Sequence, residues 1–232
     1  MDKKSSMMKD AIILCAITLI LGAVLAGVYM LTKDPIDNAQ KKTNNEACAV
    51  VVAQGDSVKD NDAEAVSGAA AYLGKHDLSN AEVKEGDLLS EYVEITEVHP
   101  TANGGKVYLA NALKGYGGKI SFALGVDAQS AITGIQITSE SETAGLGANC
   151  ENEEFKARFK GIKAPESTSE EMYNKNETTD TQVQALSGAT VTSRAITRAV
   201  KGILFYDASG KEAGQYEYCL LYTSPSPRDG LL

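Results

Sequence analysis

The sequence predicts an α+β protein: an N-terminal single transmembrane helix, then an extracytoplasmic domain in which helices flank an antiparallel sheet. Three observations predict it. Residues 11–32 contain no charged side chain, residues 92–138 contain four strand-like segments separated by turn residues, and an amphipathic helical pattern follows Ser193. Because the strands and the last helix occupy separate blocks of the chain, α+β is favoured over an alternating α/β fold.

Composition sets the first limits on function. The chain has 232 residues, of which 43% are hydrophobic, so it can bury one substantial core beside a membrane anchor. Its net charge of −9 and pI of about 4.8 argue against a nucleic-acid partner, which would require a basic face. The four cysteines have no zinc-ligand spacing, and the two histidines belong to no recognisable catalytic set. No metal site and no catalytic residues are therefore predicted.

The cysteines are expected to be free thiols. Cys15 lies in the apolar run, and Cys48, Cys150 and Cys219 are far apart in the sequence. A disulfide such as one between Cys48 and Cys150 stays an open alternative if this part of the chain lies outside the cell, because disulfides persist in oxidising compartments.

The membrane segment comes first in the chain. At about 1.5 Å per residue, a helix over residues 11–32 is roughly 33 Å long, enough to cross a hydrocarbon core of about 30 Å. A cleaved signal peptide is the alternative, but the apolar run is longer than usual and no small-x-small cleavage site follows it. Three lysines precede the span and only Lys33 follows closely, which places residues 1–10 in the cytoplasm and the main domain outside the plasma (inner) membrane.

A membrane-proximal region of helix and loops is predicted for residues 33–90. Pro35 is expected to end the membrane helix or to start a new one, and residues 37–52 show a moderately apolar helical side. The acidic residues 54–90 indicate loops with one short helix around residues 69–73.

Four strands are predicted next, joined by short connections that favour an antiparallel meander. The predicted strands are residues 92–98, 106–113, 119–126 and 131–138. The polar residues 151–182 follow, with Phe155 and Phe159 four positions apart on a short helix, where core packing is the expected role. After Ser193 a helical apolar stripe is predicted, formed by Ala195, Ile196, Ala199, Val200, Ile203 and Leu204.

The last part of the chain, residues 207–232, is predicted to be a C-terminal tail. From about residue 219 it looks like a translated sequencing-adapter sequence, with no periodic continuation of the domain. No function is therefore assigned to these last residues.

The most informative segment is Ser187-Gly188-Ala189-Thr190-Val191-Thr192-Ser193. Gly188 permits a backbone geometry that other residues avoid, and Ala189 keeps the approach open. The helix predicted to begin near Ser193 offers unpaired N–H groups to an anion, and Arg194 and Arg198 could add counter-charge. Capping of this helix by Thr192 or Ser193 is the alternative, and on the residues alone it is the more common reason for such a segment.

This segment resembles the flavinylation motif of the FMN-binding domain family, found in the G subunit of Rnf ion-translocating complexes and the C subunit of sodium-pumping NADH:quinone reductases. The resemblance implies that Thr192, the last threonine of the Ser-Gly-Ala-Thr-x-Thr pattern, carries FMN through a phosphoester bond. It also implies a separate flavin transferase that uses FAD as donor. Other cofactor-binding residues implied in this segment are Ser187, Gly188, Ala189 and Thr190.

Two more segments resemble the same family. Ser141–Gly147 is similar to the family's Glu-Thr-Pro-Gly-Leu-Gly loop, and the residues Gly115-Tyr116-Gly117-Gly118 are similar to its Gly-Tyr-Gly-Gly turn. The resemblance, which covers most of residues 9–206, implies flavin contacts by Glu142, Thr143, Gly145, Leu146, Gly147 and Tyr116. A plain turn is the alternative for the loop, and packing beside the strand is the alternative for Tyr116.

Two departures from the family pattern concern Gln184 and Ala144. The family usually has an aspartate three residues before the motif's serine, where this chain has Gln184. This weakens the argument that a transferase recognises the segment. Ala144 replaces a proline, which should loosen the loop slightly because proline restricts φ.

The resemblance implies an FMN-binding domain over residues 91–206 and a function in electron transport. The expected protein is a membrane-anchored electron carrier with covalent FMN, a subunit of an Rnf-type ion-translocating ferredoxin:NAD oxidoreductase, with the complex's integral subunits as partners and no active site of its own. Two alternatives stay open at this point. One is an FMN-binding subunit of a quinone-linked or extracellular electron-transfer chain, and the other is a non-redox anchored binding module.

Overall fold

The computed structural model describes residues 2–53, 55–76, 88–165 and 170–216. The chain divides into two compact units, Met1–Asn45 and Glu46–Leu232. The adapter-like sequence predicted from about residue 219 lies outside the described residues.

Helix α1 (Asp2–Val51) forms the first unit up to Asn45, and its end, from Glu46 to Val51, belongs to the second unit. It contains the segment that is long and apolar enough to cross a membrane, with a window of mean hydropathy 2.6 whose side chains pack against nothing in the described part of the chain. The expectation that Pro35 ends or restarts a helix is wrong, because Pro35 lies inside α1. A proline costs a helix about 3 kcal/mol, which the many other hydrogen bonds of so long a helix can offset.

The sheet of the second unit is a four-stranded antiparallel meander in the order β1-β2-β3-β4, which confirms the predicted α+β class and topology. Each strand begins and ends within two residues of its predicted position, since the turn residues between the apolar runs mark the strand ends. The strands are β1 (Val93–Pro100), β2 (Lys106–Ala112), β3 (Ile120–Val126) and β4 (Ile132–Ser139).

Helices and a short strand pair complete the second unit. Asp62 caps the first of these helices by accepting from the N–H groups of Glu64 and Ala65. The last helix continues past residue 206, where the domain was predicted to end. The elements are α2 (Ala63–Leu73), α3 (Glu153–Ala157), β5 (Tyr173–Asn174), β6 (Val183–Gln184) and α4 (Thr190–Tyr216), with 3-10 turns at Leu89–Glu91 and Gly147–Glu151.

One face of the sheet packs against the apolar stripe of α4. All six residues predicted for that stripe are buried, in one cluster with Tyr108 and Phe122 of the sheet. The rings of Phe155 and Phe159 also lie in this cluster and meet edge to face, with centroids 5.3 Å apart. Core packing by this phenylalanine pair is thus confirmed.

The other face of the sheet packs against the last turn of α1. Side chains alternate along β2, so that Val107 and Leu109 point away from α4 and contact Ala47, Cys48 and Val51 in a second apolar cluster. The hydroxyl of Thr133 on β4 donates a hydrogen bond to the Val51 carbonyl. Because α1 ends at Val51, this carbonyl has no N–H partner within the helix. The sheet is therefore covered on both faces.

Two of the cysteines are buried on opposite faces of the sheet. Cys48 lies in the cluster under α1 and Cys150 in the cluster under α4, and both are free thiols, so the alternative of a disulfide between them is not realised. Burial raises the pKa of Cys48 to about 11 and that of Cys150 to about 12. Both thiols are therefore protonated and weakly nucleophilic at neutral pH.

A buried carboxylate ties α4 to the sheet. Asp207 accepts hydrogen bonds from Lys106 Nζ at 3.0 Å, Tyr108 Oη at 2.7 Å and Ser130 Oγ at 2.7 Å. Burial and this carboxylate raise the pKa of Tyr108, so the phenol keeps its proton and donates. One side chain thus joins α4 to β2 and to the β3–β4 turn.

We expect Asp207→Ala to lower the free energy of unfolding by about 3 kcal/mol or more, because the buried donors lose their shared acceptor. Urea unfolding of the full chain in detergent measures this. Glu91→Ala is the control, since the Glu91–Lys114 pair, at 3.4 Å, is exposed and should change stability by about 1 kcal/mol at most. Equal effects of the two substitutions would contradict a special role for Asp207.

Candidate functional site

The three motif segments meet at one cavity of about 410 Å³, within the range of roughly 300–1,000 Å³ typical of small-molecule sites. The sequence-predicted site residues all line it except Ser187 and Gly145. Val191 also lines it, and sequence reasoning missed this residue because the motif leaves its position open. The lining residues are Tyr116, Glu142, Thr143, Leu146, Gly147, Gly188, Ala189, Thr190, Val191 and Thr192.

The meander explains why segments so far apart in sequence come together. Tyr116 lies in the turn between β2 and β3, and the loop with Glu142 follows the end of β4. In an antiparallel meander the β2–β3 turn and the end of β4 lie at the same end of the strands, as the pairing of Ser121 with Ser139 shows. The first turn of α4 brings Thr192 to this end of the sheet.

Glu142 connects all three segments. Thr192 Oγ1 donates a hydrogen bond to Glu142 Oε2 at 2.6 Å, and the N–H of Gly117 donates to Glu142 Oε1 at 2.9 Å. The N–H of Glu142 itself donates to the carboxylate of Glu140. Both partners of the first bond are buried, with Thr192 2% and Glu142 9% exposed. One carboxylate therefore orients the threonine hydroxyl at the floor of the cavity.

Gly147 makes room for this hydrogen bond. A Cβ at Gly147 would lie 2.6 Å from Glu142 Oε2 and 2.6 Å from Thr192 Oγ1, closer than real Cβ contacts allow. The resemblance implies that the loop glycines let N–H groups approach a flavin ring. The contacts of Gly147 indicate another reason for a glycine here, which is space for two interacting side chains.

The start of α4 leaves backbone donors beside the threonine. The helix begins at Thr190, earlier than predicted, and the N–H of Ser193 makes the first helical hydrogen bond, to Ala189 O at 3.0 Å. The N–H groups of Thr190, Val191 and Thr192 precede that bond and so have no acceptor within the helix. Such a helix end favours a phosphate through both its donors and its dipole.

Capping does not explain the two hydroxyls of this segment. Thr192 lies inside the first turn rather than before it, and its hydroxyl donates to a carboxylate. The Ser193 hydroxyl accepts from the N–H of Leu186, which precedes the helix, and donates to the Ala189 carbonyl. The capping interpretation fails because the helix starts before these residues.

The comparison with known proteins bears on this arrangement. A family model described as FMN-binding domain matches residues 115–204, which include all three segments, and one described as RnfG N-terminal region matches residues 1–51. The G subunit of the proton-translocating ferredoxin:NAD(+) oxidoreductase complex of Clostridium ljungdahlii is 30% identical over 83% of this chain and 85% of that protein. The chain belongs to this G-subunit family.

Two further proteins are similar to this member of the G-subunit family. The G subunit of the Na(+)-translocating ferredoxin:NAD(+) oxidoreductase complex of Acetobacterium woodii is 27% identical over 83% of this chain and 87% of that protein. The crystal structure of the C subunit of Na(+)-translocating NADH-quinone reductase from Parabacteroides distasonis is 25% identical, with a TM-score of 0.36 over 56% of this chain and 63% of that one.

The residues of the cavity fit FMN. The free N–H groups at the start of α4 suit its phosphate, and the Thr192 hydroxyl lies beside them. Tyr116, Leu146 and Val191 are exposed apolar side chains around the opening, and they suit a flat aromatic ring. With the family match over residues 115–204, these features identify an FMN-binding domain.

The expected counter-charge from Arg194 and Arg198 is not found at this site. Arg198 Nη2 pairs with Glu171 Oε1 at 2.9 Å, and the Arg194 guanidinium lies 5.0 Å from the centre of the Tyr173 ring. Among the described residues, those that line the cavity include no lysine or arginine. Arg198 donates to Glu171 and Lys201 Nζ donates to the Glu170 carbonyl, so basic side chains of α4 bind the segment that carries these two glutamates.

Ser187 and Gly145 lie beside the cavity rather than in its lining. Ser187 lines a neighbouring cavity of about 280 Å³ that shares Gly188 and Thr190 with the first and includes Gln184. The Gln184 side chain donates to the Asn176 carbonyl at 2.8 Å. Gly145 has a φ of +76°, a conformation that favours glycine, and its carbonyl accepts from Asn149 Nδ2 at 3.0 Å. Its role is to shape the loop.

We expect Gly147→Ala to separate Glu142 from Thr192 and to lower the free energy of unfolding by about 1–3 kcal/mol, since a methyl group has no space there. Gly210→Ala is the matched control, because its Cβ would meet nothing within 4 Å and alanine favours a helix. Urea unfolding of the full chain in detergent compares the two. An unchanged midpoint for Gly147→Ala would contradict the tight packing at the hydroxyl.

Proposed function

We propose that this protein is the FMN-carrying electron-transfer subunit of a membrane-bound, ion-translocating ferredoxin:NAD oxidoreductase complex, with FMN attached to Thr192 through a phosphoester bond. The observation that carries the proposal is the Thr192 hydroxyl, held by Glu142 at the floor of a cavity and next to the unpaired N–H groups of α4. Membership of the G-subunit family supports the partners, which are the other subunits of such a complex.

Each part of the cavity has its own task in this proposal. Thr192 Oγ1 provides the ester oxygen, and the N–H groups of Thr190, Val191 and Thr192 bind the remaining phosphate oxygens. Tyr116, Leu146 and Val191 contact the ring and limit its exposure to water. FMN, when bound, supplies one- and two-electron transfer, and the protein supplies attachment, orientation and tuning of the potential.

Attachment of FMN requires a second protein in this proposal. Thr192 is an alcohol and needs an activated flavin phosphate, which we assign to FAD presented by a flavin transferase. The donor must enter the cavity to reach Thr192, because this side chain is almost fully buried. A covalent bond keeps FMN on a protein domain that faces the exterior of the cell.

The proposed orientation places residues 1–10 in the cytoplasm and the FMN-binding domain outside. The lysines before the apolar segment support this orientation. Within the described residues one helix is long and apolar enough to cross a membrane, and with membership of a membrane-complex family it supports a single-pass anchor.

We expect Thr192→Ala to abolish covalent labelling when the chain is produced together with a flavin transferase. Thr192→Ser should retain labelling, because it keeps the hydroxyl. The matched control is Thr190→Ala, which removes a hydroxyl from the same cavity but keeps the backbone N–H assigned to the phosphate, so it should still be labelled. Intact-mass measurement detects the addition of one FMN less one water. Labelled Thr192→Ala would refute attachment at this residue.

We expect a cysteine introduced at Lys114 to react with a membrane-impermeant maleimide in intact cells, since this residue is exposed in the β2–β3 turn. A cysteine introduced at Ser5 should react only after the membrane is permeabilised. The unsubstituted chain measures the background from its own cysteines. The reverse pattern would place the domain in the cytoplasm.

A further inference from the structure

We propose that Glu142 is the general base of flavin attachment, which takes the proton of the Thr192 hydroxyl as this oxygen bonds to phosphorus. This inference rests on the proposed attachment at Thr192 and goes beyond it, because it makes the acceptor protein itself a contributor to its own modification. The resemblance in sequence implied only that Glu142 contacts the flavin.

The geometry is that of a base and its nucleophile. Thr192 Oγ1 donates directly to Glu142 Oε2 at 2.6 Å, within the range of about 2.6–3.2 Å expected for such a pair. The second carboxylate oxygen accepts the Gly117 N–H, so the carboxylate is held in place by a different segment of the chain. An unactivated threonine is a weak nucleophile, and an adjacent base is a general means of activating it.

The other groups around this pair are poor candidates for the same task. Tyr116 shares the cavity lining, but its side chain is exposed, and the Thr192 hydroxyl donates to Glu142 instead. The groups that act electrostatically on the neighbouring Cys150 are Glu140, Glu151 and Glu142. Of these carboxylates, Glu142 lines the cavity and accepts the Thr192 hydroxyl. The Cys150 thiol is buried and protonated, so it accepts no proton at neutral pH.

The step is balanced without any oxidant or reductant. Thr192 Oγ1 forms a bond to the FMN-side phosphorus of FAD, the bond from that phosphorus to the oxygen of AMP breaks, and AMP leaves with the bonding electrons. The hydroxyl proton passes to Glu142 Oε2. Glu142 becomes neutral when a negatively charged phosphodiester forms beside it, which avoids two adjacent anions in a site without a basic side chain among its described lining residues.

A purely orienting role for Glu142 predicts a different behaviour of the glutamine variant. Glutamine has the size of glutamate and can still accept the Thr192 hydroxyl with its one amide oxygen, but it cannot take up the proton. Its NH2 group would then face the Gly117 N–H, so Glu142→Gln keeps the acceptor for Thr192 and loses the second hydrogen bond along with the basicity. The two roles separate in the rate of labelling and in its restoration by an added carboxylate anion.

The experiment measures the rate at which purified, unmodified full-length chain in detergent gains FMN when it is mixed with FAD, magnesium and excess flavin transferase. Intact mass is recorded over time at neutral pH for wild type, Glu142→Gln, Glu142→Ala, Thr192→Ala and the exposed control Glu91→Gln. Circular dichroism verifies that the variants are folded.

We expect Glu142→Gln to be labelled at least about 100-fold more slowly than wild type at neutral pH, with Glu91→Gln unaffected. Added formate should partly restore labelling of Glu142→Ala, in proportion to the formate anion. This second variant tests basicity even if glutamine alters the local packing.

The outcomes distinguish the two proposals. Labelling of Glu142→Gln within a few-fold of wild type, or no restoration of Glu142→Ala labelling by formate, would overturn the role of Glu142 and leave attachment at Thr192 intact. Labelling of Thr192→Ala, or an unlabelled wild-type chain, would instead overturn the proposed function.

Discussion

The hydrogen bond between Thr192 and Glu142 is the interaction on which the site depends. It joins the first turn of α4 to the loop after β4, and the second oxygen of Glu142 extends the connection to the β2–β3 turn. Position 147 requires glycine, because a Cβ there would clash with the side chains of this pair. The polar floor of the cavity thus comes from one buried carboxylate and its donors, while the apolar opening comes from side chains that the fold leaves exposed.

The fold supplies the rigidity that this interaction requires. The β2–β3 turn and the end of β4 lie at one end of the meander. This meander is covered on both faces, by α4 on one and by the last turn of α1 on the other. Asp207 fastens the middle of α4 to β2 and to the β3–β4 turn, well after the first turn that carries Thr192. A site whose supporting elements are packed in this way keeps its side chains in place.

The sequence predicted the sheet well because strand alternation and turn residues are local signals, and the same holds for the four-residue spacing of Phe155 and Phe159. Motifs located most of the lining residues, but the sequence could not show that Glu142 contacts Thr192, since no local signal links residues fifty positions apart. The sequence did not predict where α4 starts, that α1 continues through Pro35, or that Arg198 pairs with Glu171. In each of these, packing or accumulated hydrogen bonds outweigh local preference.

The placement of Cys48 and Cys150 on opposite faces of the sheet has a consequence for how the protein matures. The sheet stands between the two sulfur atoms, so folding of the described residues requires no disulfide between them. The described fold can therefore form in either a reducing or an oxidising compartment.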